Sequence, residues 1–259
     1  MKLEVLLSVL KLNIKDLDKM NITSKCTVIN QCGKNSFKKY KNFNIYSYDE
    51  LGTANSRNRG LEKISEDIVI LCDDDVVYEK DYEKNIINEF KNNPDADVII
   101  FNLYNPYRKK RIIKKRRRLH LYNSLNYAAY NVAFRRKSIL DKNIRMNTLF
   151  GPGAIFKSGG DDTLFIVDCL KNKLKMYSSP INIGQIVSDE STWFNGYNEK
   201  YFFDKGALFT AISPKNRRFL MRQFLIRHKS VLTNYKLNEA YKIMKKGSDE
   251  YLRLVKEKK

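Results

Sequence analysis

The chain has 259 residues, of which 42% are apolar, with a net charge of +20, four cysteines and two histidines. That length supports one large domain, or one domain with a helical appendage, and the composition excludes a disordered or fibrous protein. No apolar run reaches the roughly 18 residues of a membrane-spanning helix, and scattered cysteines with so few histidines exclude a disulfide framework or a zinc pattern.

In chain order, Leu3–Leu10 is apolar apart from Glu4 and Ser8, and reads as a first core strand rather than a secretory signal. Lys25–Asn30 and Phe43–Ser47 are short strand candidates. A helix is predicted from Thr53 through Asn58 to Ile64, with Thr53 as its cap. Asp67–Cys72 is an unbroken apolar strand that runs into Asp73-Asp74-Asp75. Tyr82, Ile86 and Phe90 recur at helical spacing until Asn92-Asn93-Pro94, and Ala96–Tyr104 is the next strand. After a basic stretch, Tyr127–Phe134 reads as a strand, and a glycine-rich segment over 150–160 leads into Asp161-Asp162 and a helix from Thr163 to Asn172. Leu174–Ser178 and Ile181–Gly184 read as two strands. The aromatic stretch 193–209 reads as core or as the wall of an acceptor groove, with a boundary at Pro214 and two amphipathic helices beyond it. Apolar strands alternating with helices predict an α/β fold, a mostly parallel central sheet covered by helices on both faces. The four cysteines are expected to be reduced and mostly buried, as in a cytoplasmic protein.

The charge is concentrated. Residues 107–118 carry nine cations and no acid, and residues 215–259 carry fourteen cations against four acids, which leaves the rest near neutral. A near-neutral body with two cationic patches predicts an anionic partner: phospholipid, nucleic acid or a phosphate-bearing molecule.

Three segments bear chemistry. Asp73-Asp74-Asp75 closes a buried strand, where open α/β sheets bind ligands. Adjacent carboxylates repel unless a cation neutralises them, and their hard oxygens suit Mg²⁺ or Mn²⁺ carrying a diphosphate. A solvated acidic turn is the plain alternative. Asp161-Asp162 can cap a helix in the ordinary way or supply a general base at the mouth of the cleft. In the stretch Gly52–Gly60 (GTANSRNRG), Arg57 and Arg59 are either solvated helix cations or part of a diphosphate site at a helix start.

Taken in order, GTANSRNRG, DIVILCDDDVVY and SGGDDTLFIVDCL resemble the motif series of glycosyltransferase family 2 enzymes with the GT-A fold, bacterial surface-polysaccharide type, over roughly residues 1–212. The resemblance implies a Rossmann-like, mixed but mostly parallel sheet in a transferase domain 1–212, followed by a basic helical region 213–259. It implies nucleotide contacts from Arg57, Asn58, Asp73 and Asp74, and a divalent Mn²⁺ or Mg²⁺ held by Asp75 and Asp73. Asp162 is implied as the catalytic base, with Asp161 as the alternative. The chain departs from the pattern twice: Asn30-Gln31 stand where an aspartate commonly reads the base, as nucleotide-contact candidates that can donate and accept hydrogen bonds but make uridine less certain, and no histidine follows the acidic pair before Arg227, so either Asp189 substitutes as a metal ligand or metal binding is weak.

The reading that results is an inverting, metal-dependent transfer from a nucleotide sugar, UDP-linked, to a saccharide acceptor on a lipid or anionic carrier. Its setting is cell-surface polysaccharide assembly at the cytoplasmic face of the membrane, held there by the basic patches. Two alternatives stand beside it. One is a nucleic-acid-binding protein or metal-dependent nuclease, favoured by charge but lacking a nucleic-acid module. The other is a catalytically idle membrane-docking subunit. The leading reading expects no nucleic-acid partner.

Overall fold

The computed structural model describes residues 1–107, 112–124, 127, 131–188 and 196–257. Packing divides the chain into two units, Met1–Met146 with Phe165–Glu190, and Asn147–Leu164 with Ser191–Lys259.

The first unit holds strands β1 (Leu3–Leu10), β2 (Lys25–Gln31), β3 (Ser36–Tyr40), β4 (Phe43–Tyr48), β5 (Ile68–Asp73), β6 (Val76–Tyr78), β7 (Val98–Tyr104), β8 (Arg117–Arg118), β9 (Val132–Arg135) and β10 (Met176–Ile186). Its helices are α1 (Ile14–Leu17), α2 (Thr53–Leu61), α3 (Tyr82–Asn92), α4 (Arg136–Asp141) and most of α5 (Asp161–Lys171). Among the described residues the strands form one sheet in the order β3-β4-β2-β1-β5-β9-β7-β10-β6, with β8 beside β10. Strands β4, β2, β1 and β5 are parallel, and β9 runs antiparallel between β5 and β7. The expected mixed, mostly parallel α/β sheet is the fold observed.

Alternation along the strands builds a layer on each face. Val5, Leu7, Ile68, Ile70 and Cys72 pack on one side with α3, while Leu6, Val69 and Leu71 pack on the other with α2 and α5. Glu4 is fully buried at the start of β1, and its carboxylate accepts from Thr27 Oγ1 (2.7 Å), Ser65 N (2.7 Å) and Glu66 N (3.0 Å). Gly60 lets α2 lie directly on β1, since a Cβ there would come within 2.1 Å of Leu6 Cδ1.

Several boundaries differ from expectation. The two strands predicted over 174–184 are one, β10, whose register shifts between Ser178 and Asn182 absorb Pro180. Strand β9 begins only at Val132, and residues 128–130 of the predicted strand lie outside the described residues. The edge strand β3 and the short β6 were not predicted. β3 is solvent-facing and carries Lys38 and Lys39, so it lacks an apolar run while its charges protect an exposed edge.

The second unit is built on α6 (Glu199–Ile212), α7 (Arg217–Arg227) and α8 (Leu237–Glu257) around Phe202, Met221, Leu225, Ala240 and Met244. A Cβ at Gly206 would sit 1.8 Å from the Met244 carbonyl oxygen, and one at Gly247 would sit 1.9 Å from that of Phe203. Paired glycines thus bring the α6 and α8 backbones together.

Candidate active site

In the first unit, the carboxyl ends of the parallel strands line up. Ser8 is paired with Asp73 across β1 and β5, Val9 with Asn30 across β1 and β2, and Asn30 with Ser47 across β2 and β4. Helix α2 starts above this edge at Gly52, whose φ of 111° turns the chain into the helix. Ser8 Oγ donates to Ser56 Oγ at 2.6 Å, fixing α2 to the strand end. One residue on, the Arg57 guanidinium is buried (2% exposed) and its Nη2 lies 2.8 Å from Asp73 Oδ1.

Strand alternation separates the acidic residues. Asp73 continues the Val69 and Leu71 face toward α2, whereas Asp74 continues the Ile70 and Cys72 face. Asp74 borders a cavity of about 200 Å³ formed with Leu10–Asn13 and Asp16. Crowding by surrounding protein, then the charge on Asp73, push the Asp74 carboxyl above the ordinary aspartate range. Asp74 and Asp75 form the turn from β5 to β6, and Val187 N donates to the Asp75 carbonyl at 2.9 Å. Asp189, the expected substitute ligand, lies outside the described residues.

Among the described residues, no three His, Cys, Asp or Glu side chains are gathered into a metal cage. Mg²⁺ and Mn²⁺ at diphosphate sites need only one or two protein carboxylates, the rest of the shell being water and phosphate. Asp73 and Asp75, two carboxylates at the carboxyl end of β5, meet that requirement.

The remaining nucleotide candidates already have structural partners. Asn30 accepts from Leu12 N through Oδ1 (2.9 Å) and donates through Nδ2 to Ser47 Oγ (3.1 Å), tying the segment after β1 to β4. Gln31 is buried at the end of β2 beside Leu10. Asn58 clamps Met146 from both ends of its amide, donating to the carbonyl at 3.0 Å and accepting from the N–H at 2.8 Å. Arg59 faces outward, bonded to Glu50 through Nε (3.1 Å) and Nη2 (3.0 Å).

In the second unit, Asp161 and Asp162 form the first turn of α5, where N–H groups and the helix dipole favour carboxylates. Their environments differ. Asp161 is buried (4% exposed) and its carboxyl lies against Gly151, where a Cβ would approach to 2.7 Å. Asp162 is half-exposed. The loop before them is held by a residue the sequence did not single out: Asp204 on α6, 2% exposed, accepts from Ser158 N (2.9 Å), Ser158 Oγ (2.6 Å) and Lys200 Nζ (2.5 Å). Its sequence signal is an acid directly after the Tyr201-Phe202-Phe203 run, four positions from Lys200.

The class that follows is a glycosyltransferase of the GT-A fold. Residues 30–157 match the sequence model of glycosyl transferase family 2. Among solved structures, S. aureus TarS 1–349 in complex with UDP-GlcNAc is similar at 15% identity and a TM-score of 0.64, over 90% of this chain and 74% of that one. Mannosyltransferase PcManGT from Pyrobaculum calidifontis, in complex with GDP-Man and Mn²⁺, is similar at 9% identity and a TM-score of 0.53, over 97% of this chain and 75% of that one. At these identities the likeness is one of fold. No curated protein sequence matches the chain.

Proposed function

We propose that this glycosyltransferase moves a sugar, with inversion, from a UDP-linked donor to a saccharide acceptor on a lipid or anionic carrier, in surface-polysaccharide assembly at the cytoplasmic face of the membrane. The observation that carries the donor half is the buried Arg57–Asp73 pair beside the Asp74-Asp75 turn, at the carboxyl edge of parallel strands in a glycosyltransferase fold. The nucleotide-sugar complexes of TarS and of the mannosyltransferase support a nucleotide-sugar donor here.

In this reading Asp73, oriented by Arg57, faces the ribose side of the nucleotide. Asp75, with Asp73, would hold Mn²⁺ or Mg²⁺, and Asp189 is the candidate third ligand. A bound ion would supply positive charge to offset charge building on a departing diphosphate. Asp162 accepts the proton of the acceptor hydroxyl as its oxygen forms a bond to the anomeric carbon. The bond from that carbon to the diphosphate oxygen breaks, and its electron pair leaves with the nucleoside diphosphate. Its half-exposed position suits Asp162 for this role better than buried Asp161, which is packed on Gly151.

Asp75→Asn removes one ligand charge with little change of shape, and transfer with Mn²⁺ or Mg²⁺ is expected to fall at least about a hundredfold, the scale of losing one transition-state electrostatic contact. Turnover of the radiolabelled donor is the readout. Unchanged turnover in this variant defeats the metal assignment.

A further inference from the structure

The charge of the second unit is not spread evenly over its helices. Between Asp204 and Glu239 the chain has no acid, and α7 lies inside that stretch. Met221 and Leu225 bury its inner side in the helical core. Its outer side is not a simple solvated face: Phe219 is 64% exposed and Ile226 is 58% exposed. These two side chains are seven residues apart, two full helical turns, so they share one line along the helix. Arg218 and Arg222 flank that line on one side and Arg227 on the other, and the Arg222 guanidinium lies 5.3 Å from the Tyr241 ring centre.

Helix α8 is a useful contrast. It is also cationic and amphipathic, but Arg253 is bonded to Glu250 (2.6 Å) and Glu257 (2.6 Å), so part of its charge is met within the helix. The two helices therefore differ: α8 has internal ion pairing along its outer side, and α7 has two exposed apolar groups with cations to either side.

We infer that the outer face of α7 docks in the plane of an anionic phospholipid surface, with Phe219 and Ile226 entering the acyl boundary and Arg218, Arg222 and Arg227 meeting the headgroup phosphates. An interfacial helix requires that combination, apolar groups on one line and cationic groups beside it, and long arginine stems reach phosphate while their methylenes cover apolar surface. A nucleic-acid backbone would use the arginines but give Ile226 no partner, and a second copy of so cationic a face is repelled. No helix among the described residues is long and apolar enough to cross a membrane, and an in-plane helix does not need to be. The inference rests on the peripheral-membrane part of the reading above and is independent of the transfer chemistry.

The test is sedimentation of the full chain with phosphatidylcholine vesicles, with and without phosphatidylglycerol, for wild type, Phe219→Ser/Ile226→Ser and Arg253→Gln. Circular dichroism establishes that each variant is folded. Wild type is expected to partition onto the anionic vesicles only. The double variant, which keeps every charge, should lose about tenfold or more of that binding, as expected for removing the buried apolar contribution, and Arg253→Gln should bind as wild type. In a Trp193→Phe background, the indole fluorescence of Phe219→Trp should be quenched by brominated acyl chains. Vesicle binding that survives the double variant overturns the role of α7. So does binding lost only on neutralising Lys114–Arg118, or tight binding to single-stranded RNA with none to vesicles. Loss of nucleotide-sugar binding in any of these proteins bears on the transfer reading alone.

Discussion

Asp73 and Arg57 make one unit of the candidate site, and their energetics set its robustness. A buried guanidinium that loses its carboxylate costs about 3–5 kcal/mol, and Asp73 keeps 32% of its side chain exposed, which moves the figure to the low end. Asp73→Ala should therefore lower unfolding stability by about 3 kcal/mol in urea titration as well as weaken nucleotide binding. A loss of binding with no loss of stability would mean that Arg57 is held by other groups. Asp168 offers a pH test away from the site. Burial raises its carboxyl above the ordinary value of 3.8, with Lys171 opposing. Between 3.8 and the raised value the folded chain keeps a proton that the unfolded chain has released. This contribution is therefore full below 3.8 and is lost as pH rises through the folded pKa. Asp168→Asn is expected to gain on wild type across that window, read as the difference between their melting temperatures; parallel curves would refute the assignment. At this scale the sequence exposed the acidic residues by their clustering. It did not reveal that Asn30 and Asn58 spend both ends of their amides on backbone and side-chain partners, because such bonds join residues up to 88 apart in sequence.

Helix α2 and the α6–α8 pair each rest on an approach that only a small residue permits. The glycines of the last pair face backbone atoms, which cannot swing aside as the Leu6 side chain facing Gly60 can. Gly247→Ala is expected to cost about 3 kcal/mol, the upper end for overpacking, and to lower the melting temperature by roughly 10 °C for a chain of this size. Differential scanning calorimetry measures it, and a shift below a degree would mean that α6 and α8 separate freely. The aromatic segment, read as core or as the wall of an acceptor groove, also contains Asp204, which holds the loop in front of Asp161. Periodicity finds the buried side of α6 but cannot say which loop a buried acid on it will clamp. Element by element, β1, β2, β4, β5, α3 and β7 lie close to where apolar runs and helical spacing put them. Strands β3 and β6 were missed, because one is an exposed edge and the other is only Val76–Tyr78.

For the molecule as a whole, the proposed donor site predicts a linkage. A ligand that binds only the folded chain adds about 2.7 kcal/mol at a hundred times its Kd, so UDP with Mn²⁺ should raise the melting temperature by several degrees, and Asp75→Asn should remove most of the rise. Equal shifts with and without the metal ion would separate nucleotide binding from metal binding. The sequence by itself determined the α/β class, the order of its parallel strands' apolar runs, the placement of three aspartates at a strand end, and the two concentrations of positive charge. All of these are local, since periodicity, charge clustering and strand ends are properties of neighbouring residues. Tertiary structure alone decided that Arg57 meets Asp73, that Asp161 is buried against Gly151, and that α6 packs with α8. It likewise decided that α7 keeps two apolar side chains in the open. Each depends on which distant segment covers a given side chain, and coverage is settled by packing rather than by any pattern along the chain.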